Sequence, residues 1–299
     1  MKTYREADFF EEFAADWGGC RCGKCGVADY MRYVYTIADE LITINRDANL
    51  YADTWSISYW GDDPLVSGWN ALYEKEISAS REVIDLLEAM PQNTHIALPC
   101  HHLYRALTYS SYGSKAKTPE FPAASDVAQV HAMGRTVLAW PHFVMDDDVY
   151  RPASWGIIHS EIRYIKHLLQ SLRVRGIDGV MGNLYLPYLQ ISNTYAFGRL
   201  AANPDEDIVD IIEGFAALIA YKEDAHALAE VMMWVENNSY WEKQLPEDAK
   251  LTHLPAQLTG EKALDLLRSI SANPSPEYPL PLPADSWLED LRRSIAKMI

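Results

Sequence analysis

Cysteine is scarce in this chain. There are 4 in 299 residues, and three of them fall inside AADWGGCRCGKC, Ala14–Cys25. They are too few and too clustered for a disulfide scaffold. Basic residues are also short, 26 Lys and Arg against 42 Asp and Glu, for a net charge of −16. Such a surface repels polyanions on average, which argues against a nucleic-acid partner and against anionic membrane surfaces. No apolar run reaches the ~20 residues of a membrane span, so membrane insertion is not expected. The start, MKTYREADFFEEF, lacks the apolar stretch of a signal peptide. That points to the cytoplasm only if Met1 is the natural start, and localisation stays open. No internal repeat is visible. What the chain has is an ordinary globular balance, 48% hydrophobic and 23% charged, with 9 Trp and 18 Tyr. Acidic proteins rich in these rings often handle neutral, flat-faced ligands such as sugars, although most of the rings belong in the core. The length suits one large α/β domain with a helical appendage, or two ordinary domains.

The hydrophobic pattern alternates. ADFFEEFAAD reads as a short strand, despite Glu11 and Glu12 being poor strand formers. Tyr30, Val34, Ile37 and Leu41 recur at helical spacing, with Asp29 as the expected cap. NLYADTWSISYW is expected as a strand, ended by Gly61-Asp62-Asp63-Pro64. A helix over Ala71–Met90 stops at Pro91. THIALPC is a strand, and a short helix is expected near Asp126–Met133. GRTVLAWPHFV is a strand. A helix over Ile158–Arg175 ends at Gly176, and IDGVMGNLYL is the last strand. Strand and helix in alternation, with near-continuous apolar strands, predicts a parallel sheet or barrel. After Asn203 the alternation ends. Pro204-Asp205-Glu206-Asp207 opens a helix with its acidic residues at the favourable end, and a second helix is expected over Glu223–Asn237. A Pro-rich segment at 273–285 precedes a final helix, Trp287–Met298. The predicted organisation is therefore an α/β, (β/α)-barrel portion at 1–203 and a helical C-terminal region at 204–299.

Ligands of parallel α/β folds bind at the carboxyl ends of the strands. Those ends carry Asp16, then Trp55, Tyr59 and Trp60, then His101 and His102, then Trp140, His142 and Asp146, then Asn183 and Tyr185. Aromatic walls with carboxylates suit glycoside hydrolysis, which needs a proton donor and a group that stabilises an oxocarbenium-like centre. Asp16 and Asp146 are the candidate catalytic carboxylates, although each also reads as a cap or a solvated turn. The tryptophans and Tyr59 are candidate sugar platforms. The histidines, Asn183 and Tyr185 are candidate hydroxyl ligands. Cys20, Cys22 and Cys25 form C-x-C-x2-C. Thiolates at this spacing can share a metal such as a structural zinc, but a zinc ribbon has a second C-x2-C, which is lacking here. A redox role would use Cys25 before its helix, near Arg21 and Lys24. Local packing is the third reading. No other cofactor is implied.

Asp16–Cys25, D-W-G-G-C-R-C-G-K-C, resembles the D-x-G-G-C-x-C-x-x-C loop of (β/α)8 glycoside-hydrolase relatives. These are bacterial proteins similar to family 20 and family 84 hexosaminidases and to α-glucuronidases. GVMGNLYLPYLQISNTYAFGRLAANPDEDIVDIIEGFAALIA resembles their passage from the last barrel strand into a helical region that opens with N-P-D-x-D. The resemblance implies a (β/α)8 barrel, a carbohydrate ligand, and an Asp16 that faces the pocket. The chain departs from the hexosaminidases at Trp17, where their acid would stand. The resemblance also places the first strand here near the fourth of the family. Five strands rather than eight then imply a barrel incomplete at its N-terminus, its open edge covered by a further segment or by self-association. The expected function is a glycoside hydrolase-like protein. The alternatives are a non-catalytic carbohydrate-binding or degenerate barrel, and a metal-stabilised or redox protein built on the cysteine cluster.

Overall fold

The computed structural model describes residues 7–12, 24–55, 57, 69–100, 121–140, 158, 160–182, 189–239, 251–273 and 283–299, the side chains of 69–73 excepted. Among them, five strands form one parallel sheet: β1 (Phe9–Glu12), β2 (Asn49–Asp53), β3 (Thr94–Pro99), β4 (Val137–Trp140) and β5 (Gly179–Val180). Spatial order follows chain order, with helices between successive strands: α1 (Val27–Ile44), α2 (Trp69–Leu86) with a 3-10 turn at Leu87–Ala89, α3 (Ala124–Ala132) and α4 (Ile162–Val174). Parallel strands need such crossovers. The result is a curled half-barrel of the β/α kind. Among the described residues of NLYADTWSISYW the strand ends at Asp53, and β5 has two residues.

The alternation along the strands divides the sheet into two faces. Leu50, Ala52, Ile96, Leu98 and Val137 face the helices and share one core with Val34, Ala38 and Leu41 of α1, Val83 and Ile84 of α2, and Val127 and Val130 of α3. The opposite face carries Tyr51, Asp53, His95, Ala97, Leu138 and Trp140. At the amino ends of the strands this second face is tied by polar bonds. His95 stacks on Tyr51 at 5.2 Å, its Nε2 lies 2.8 Å from Asn49 Oδ1, and its Nδ1 accepts the Thr136 N–H. A Cβ at Gly179 would come within 2.7 Å of Leu138 Cδ2, so the Leu138 side chain would have to turn aside.

Local chemistry fixes the helix ends. Gly26 occupies the cap position of α1, and Asp29, three residues on, turns back to accept the Gly26 N–H at 3.0 Å. Asp29 thus caps from inside the first turn rather than ahead of it. Asp126 does the same for α3 through Ala123 N–H. Both α3 and α4 end on left-handed glycines, Gly134 (φ +71°) and Gly176 (φ +83°). Gly176 N–H bonds Arg173 O and Ile177 N–H bonds Leu172 O, the paired bonds of a Schellman stop. Gly134 and Arg135 repeat them on His131 and Val130.

The chain divides into two compact units that interleave in sequence. The first holds the sheet, α1–α3 and the last turn of α4. The second holds residues 162–170 of α4 together with α5 (Ile191–Ala202), α6 (Ile208–Ile219), α7 (Ala225–Asn238), α8 (Gly260–Ser269) and α9 (Ala284–Met298). Its core includes Ile212, Phe215, Leu228, Val231, Trp287 and Leu291. Asp207 caps α6 by accepting Val209 N–H at 2.8 Å. The fully buried Glu236 accepts the N–H groups of Ile162 and Arg163 at 3.0 Å each, and pairs with the Arg163 guanidinium. Arg163 also donates to Leu251 O and Thr252 O, so one ion pair ties the start of α4, the end of α7 and the segment at 251–254. Helices α5 and α8 were not expected from the sequence. The buried side of α5 includes Ser192 and Asn193, which hide its apolar period. In α8 only Ala263 and Leu267 are buried.

Candidate functional site

In the first unit the carboxyl ends of the strands gather acidic groups. β1 ends on Glu11 and Glu12, and β2 ends on Asp53, followed by Thr54 and Trp55. Asp53 is fully buried. Its Oδ1 accepts the Trp55 backbone N–H at 2.6 Å, and its side chain hydrogen-bonds the Glu11 carboxyl. The Tyr30 hydroxyl, from α1, lies 2.8 Å from both the Asp53 and the Glu12 carbonyl oxygens and clamps the two strand ends together. Thr54 is held from the other side by Ser80 of α2, whose hydroxyl donates to Thr54 Oγ1 at 2.7 Å. Glu76, one turn before Ser80, is also fully buried.

Burial pushes Asp53, Glu12 and Tyr30 toward the protonated state. Burial raises the Asp53 carboxyl well above the usual carboxylate range, the adjoining Glu11 carboxyl raises it further, and Glu76 adds a smaller share. The Trp55 N–H opposes the shift. Burial is also the main cause of the strongly raised Tyr30 phenol, with Asp53, Glu12 and Glu11 adding to it. Burial raises Glu12 as well. Among the described residues no lysine, arginine or histidine offsets these shifts. Asp53 is thereby held toward its protonated form.

The Trp55 and Trp140 rings meet edge to face, with centroids 5.1 Å apart and planes at 70°. Trp55 is half-buried and Trp140 is 8% exposed. The structure therefore brings together two of the ring residues expected from sequence. Asp16, Asp146, Tyr59, Trp60, His101, His102, His142, Asn183, Tyr185, Cys20 and Cys22 lie outside the described residues. Cys25 is exposed, just ahead of the Gly26 cap of α1. Cys100 is buried, and burial pushes its thiol up, away from the reactive thiolate. Among the described residues no group of three or more His, Cys, Asp or Glu converges to hold a metal ion. None of the described helices is long and apolar enough to cross a membrane.

Sequence reasoning missed Glu11, Glu12, Asp53 and Glu76. For Asp53 the reason is register. The apolar run continues past it to Trp60, which places it in mid-strand, whereas the pairing stops at Asp53 and makes it the strand end. For β1 a signal existed, since two glutamates closing an apolar strand have little reason to stand there for strand propensity alone.

No protein-family model, no curated protein and no solved structure matches this chain. Its function is argued from the chemistry of the site.

Proposed function

We propose that this is a carbohydrate-active protein of the glycoside-hydrolase type on a (β/α)8-like barrel, working at the carboxyl ends of its strands. Glu11 is the carboxyl that meets the sugar, and Asp53 stands behind it as a positioning residue. The observation that carries this reading is the Asp53–Glu11 pair: one member is fully buried with a raised pKa, the other is exposed. Paired carboxyls held in unlike environments are how acid and base roles are divided at neutral pH. The half-buried Trp55, braced edge-on by Trp140, offers a ring to the apolar C–H face of a sugar. Asp16 and Asp146 complete the proposal as further pocket carboxylates.

A panel of aryl glycosides assayed on wild type, Glu11→Gln and Asp16→Asn tests the proposal. Loss of about 10²-fold or more in kcat in Glu11→Gln is expected for a proton-transfer residue. Equal turnover by wild type and Glu11→Gln removes Glu11 from the mechanism, and the same result with Asp16→Asn removes Asp16. The second reading, a non-catalytic carbohydrate-binding barrel, is favoured by the complete burial of Asp53, which leaves Glu11 as the reachable member of the pair. It predicts sugar binding that is lost in Trp55→Ala, with no turnover of any glycoside.

A further inference from the structure

Two successive backbone N–H groups at the start of β4 are held by titratable side chains. Thr136 N–H donates to His95 Nδ1 at 2.9 Å, and Val137 N–H donates to Asp178 Oδ2 at 2.7 Å. A backbone N–H only donates, so Nδ1 carries no proton. The ring proton of His95 is then on Nε2, which donates to Asn49 Oδ1 at 2.8 Å. The imidazole is therefore neutral, and it is buried and stacked on Tyr51. A further proton has one place to go, Nδ1, where it meets the Thr136 N–H. The Thr136 hydroxyl, 3.0 Å from Nδ1, is able to turn and accept from it, but that hydroxyl also partners the Tyr51 hydroxyl at 2.9 Å. The N–H has no such freedom.

We propose that His95 is an acid-operated latch on the amino end of β4. Neutral His95 closes it, and a proton on Nδ1 expels the Thr136 N–H and opens it. Asp178 carries the opening to its neighbours. Besides Val137 N–H, it holds His131 Nε2 of α3 at 2.8 Å, and its own N–H bonds Val137 O at 3.0 Å. Release of the start of β4 thus loosens the two-residue β5 and the end of α3 with it. Among the described residues, the charged and titratable groups facing the ring are Tyr51 from β2, Arg135 ahead of β4 and Asp178 ahead of β5. Burial, and then Arg135, hold the His95 imidazole below its usual range, and Asp178 opposes them. The Met90, Pro91 and Thr94 carbonyls fix the Arg135 guanidinium. An opened chain takes up the proton near pH ~6.5. The stability of the latch is therefore complete above about that pH and is lost as pH falls through the lowered folded value. The device lies at the amino ends of the strands, and it does not depend on the carbohydrate reading of the carboxyl ends.

The test is amide hydrogen exchange of the full 15N-labelled chain, followed by NMR from about pH 7.5 to about pH 5 and normalised to the rates of an unstructured chain. Protection of the Thr136 and Asp178 amides is expected to fall about tenfold for each pH unit below ~6.5, until the folded value is reached. The Cys100 amide, which bonds Trp140 O at the other end of the same strand pair, should keep its protection. His95→Gln, which keeps an acceptor but takes up no proton, should remove the pH dependence at Thr136. His131→Gln should leave it in place. Parallel loss at Thr136 and Cys100 means global unfolding and overturns the latch, as does constant protection at Thr136 or loss of the pH dependence in His131→Gln. The 15N shifts of the wild-type imidazole give a second reading that needs no variant. Nδ1 should be unprotonated at about pH 7.5 and take up its proton over the range where Thr136 loses protection. A protonated Nδ1 at about pH 7.5, or uptake with no change at Thr136, overturns the proposal.

Discussion

Asp53 shows most clearly how position overrides residue type. An aspartate at a strand end is ordinarily an exposed anion, but here it is fully buried, and its proton is favoured by burial and by Glu11. The unfolded chain gives up that proton near pH ~4. The stabilising contribution of Asp53 is therefore complete below about that pH and is lost as pH rises through the raised folded value. Asp53→Asn carries no charge at any pH. It should melt with the wild type in acid and above it at neutral to alkaline pH, by about 2 °C or more near pH 8. Melting curves across pH check this, and a difference that stays constant from acid to alkali would show that Asp53 does not titrate in that range. The same variant should alter the emission of Trp55, whose backbone N–H bonds Asp53 Oδ1.

Elements are where sequence and structure agree best, and the disagreements have identifiable causes. Helices α1, α6, α7 and α9 have wide apolar faces, so their period is legible within a few residues of the observed bounds. Their stops are legible too. Gly176 follows α4 in the left-handed region, and Gly176→Ala should cost about 1 kcal/mol or more, because a Cβ is strained at that φ. Asp207→Ala should cost about 1 kcal/mol through loss of the α6 cap. Denaturant midpoints measure both. Glu236 was not legible as a tie. It lies within the predicted second helix, and nothing nearby in sequence announces that it caps α4 and pairs with Arg163, 73 residues away. Glu236→Ala removes the carboxylate that balances the buried Arg163 charge, and a loss of about 3–5 kcal/mol is expected. A loss under about 1 kcal/mol would mean that its bonds to the Leu251 and Thr252 carbonyls hold Arg163 without the carboxylate.

At the scale of the whole molecule, charge and composition set the terms. A net charge of −16 on 299 residues adds self-repulsion to every folded arrangement. Raising salt from about 0.02 to about 0.5 M should therefore raise Tm, since screening acts over about a Debye length. An unchanged or falling Tm would show that paired charges outweigh the repulsion. The sequence by itself determined the α/β alternation, the parallel sheet it requires and the helical character of the later chain, because apolar period and helix punctuation are local properties. It did not determine where each strand stops, since an apolar run does not record how far its neighbour pairs with it. Only the tertiary structure decided that β2 ends at Asp53, that Glu11 adjoins it from another strand and that α1 clamps both ends through Tyr30. The site is an arrangement of ends, and pairing between residues far apart in the chain sets the ends.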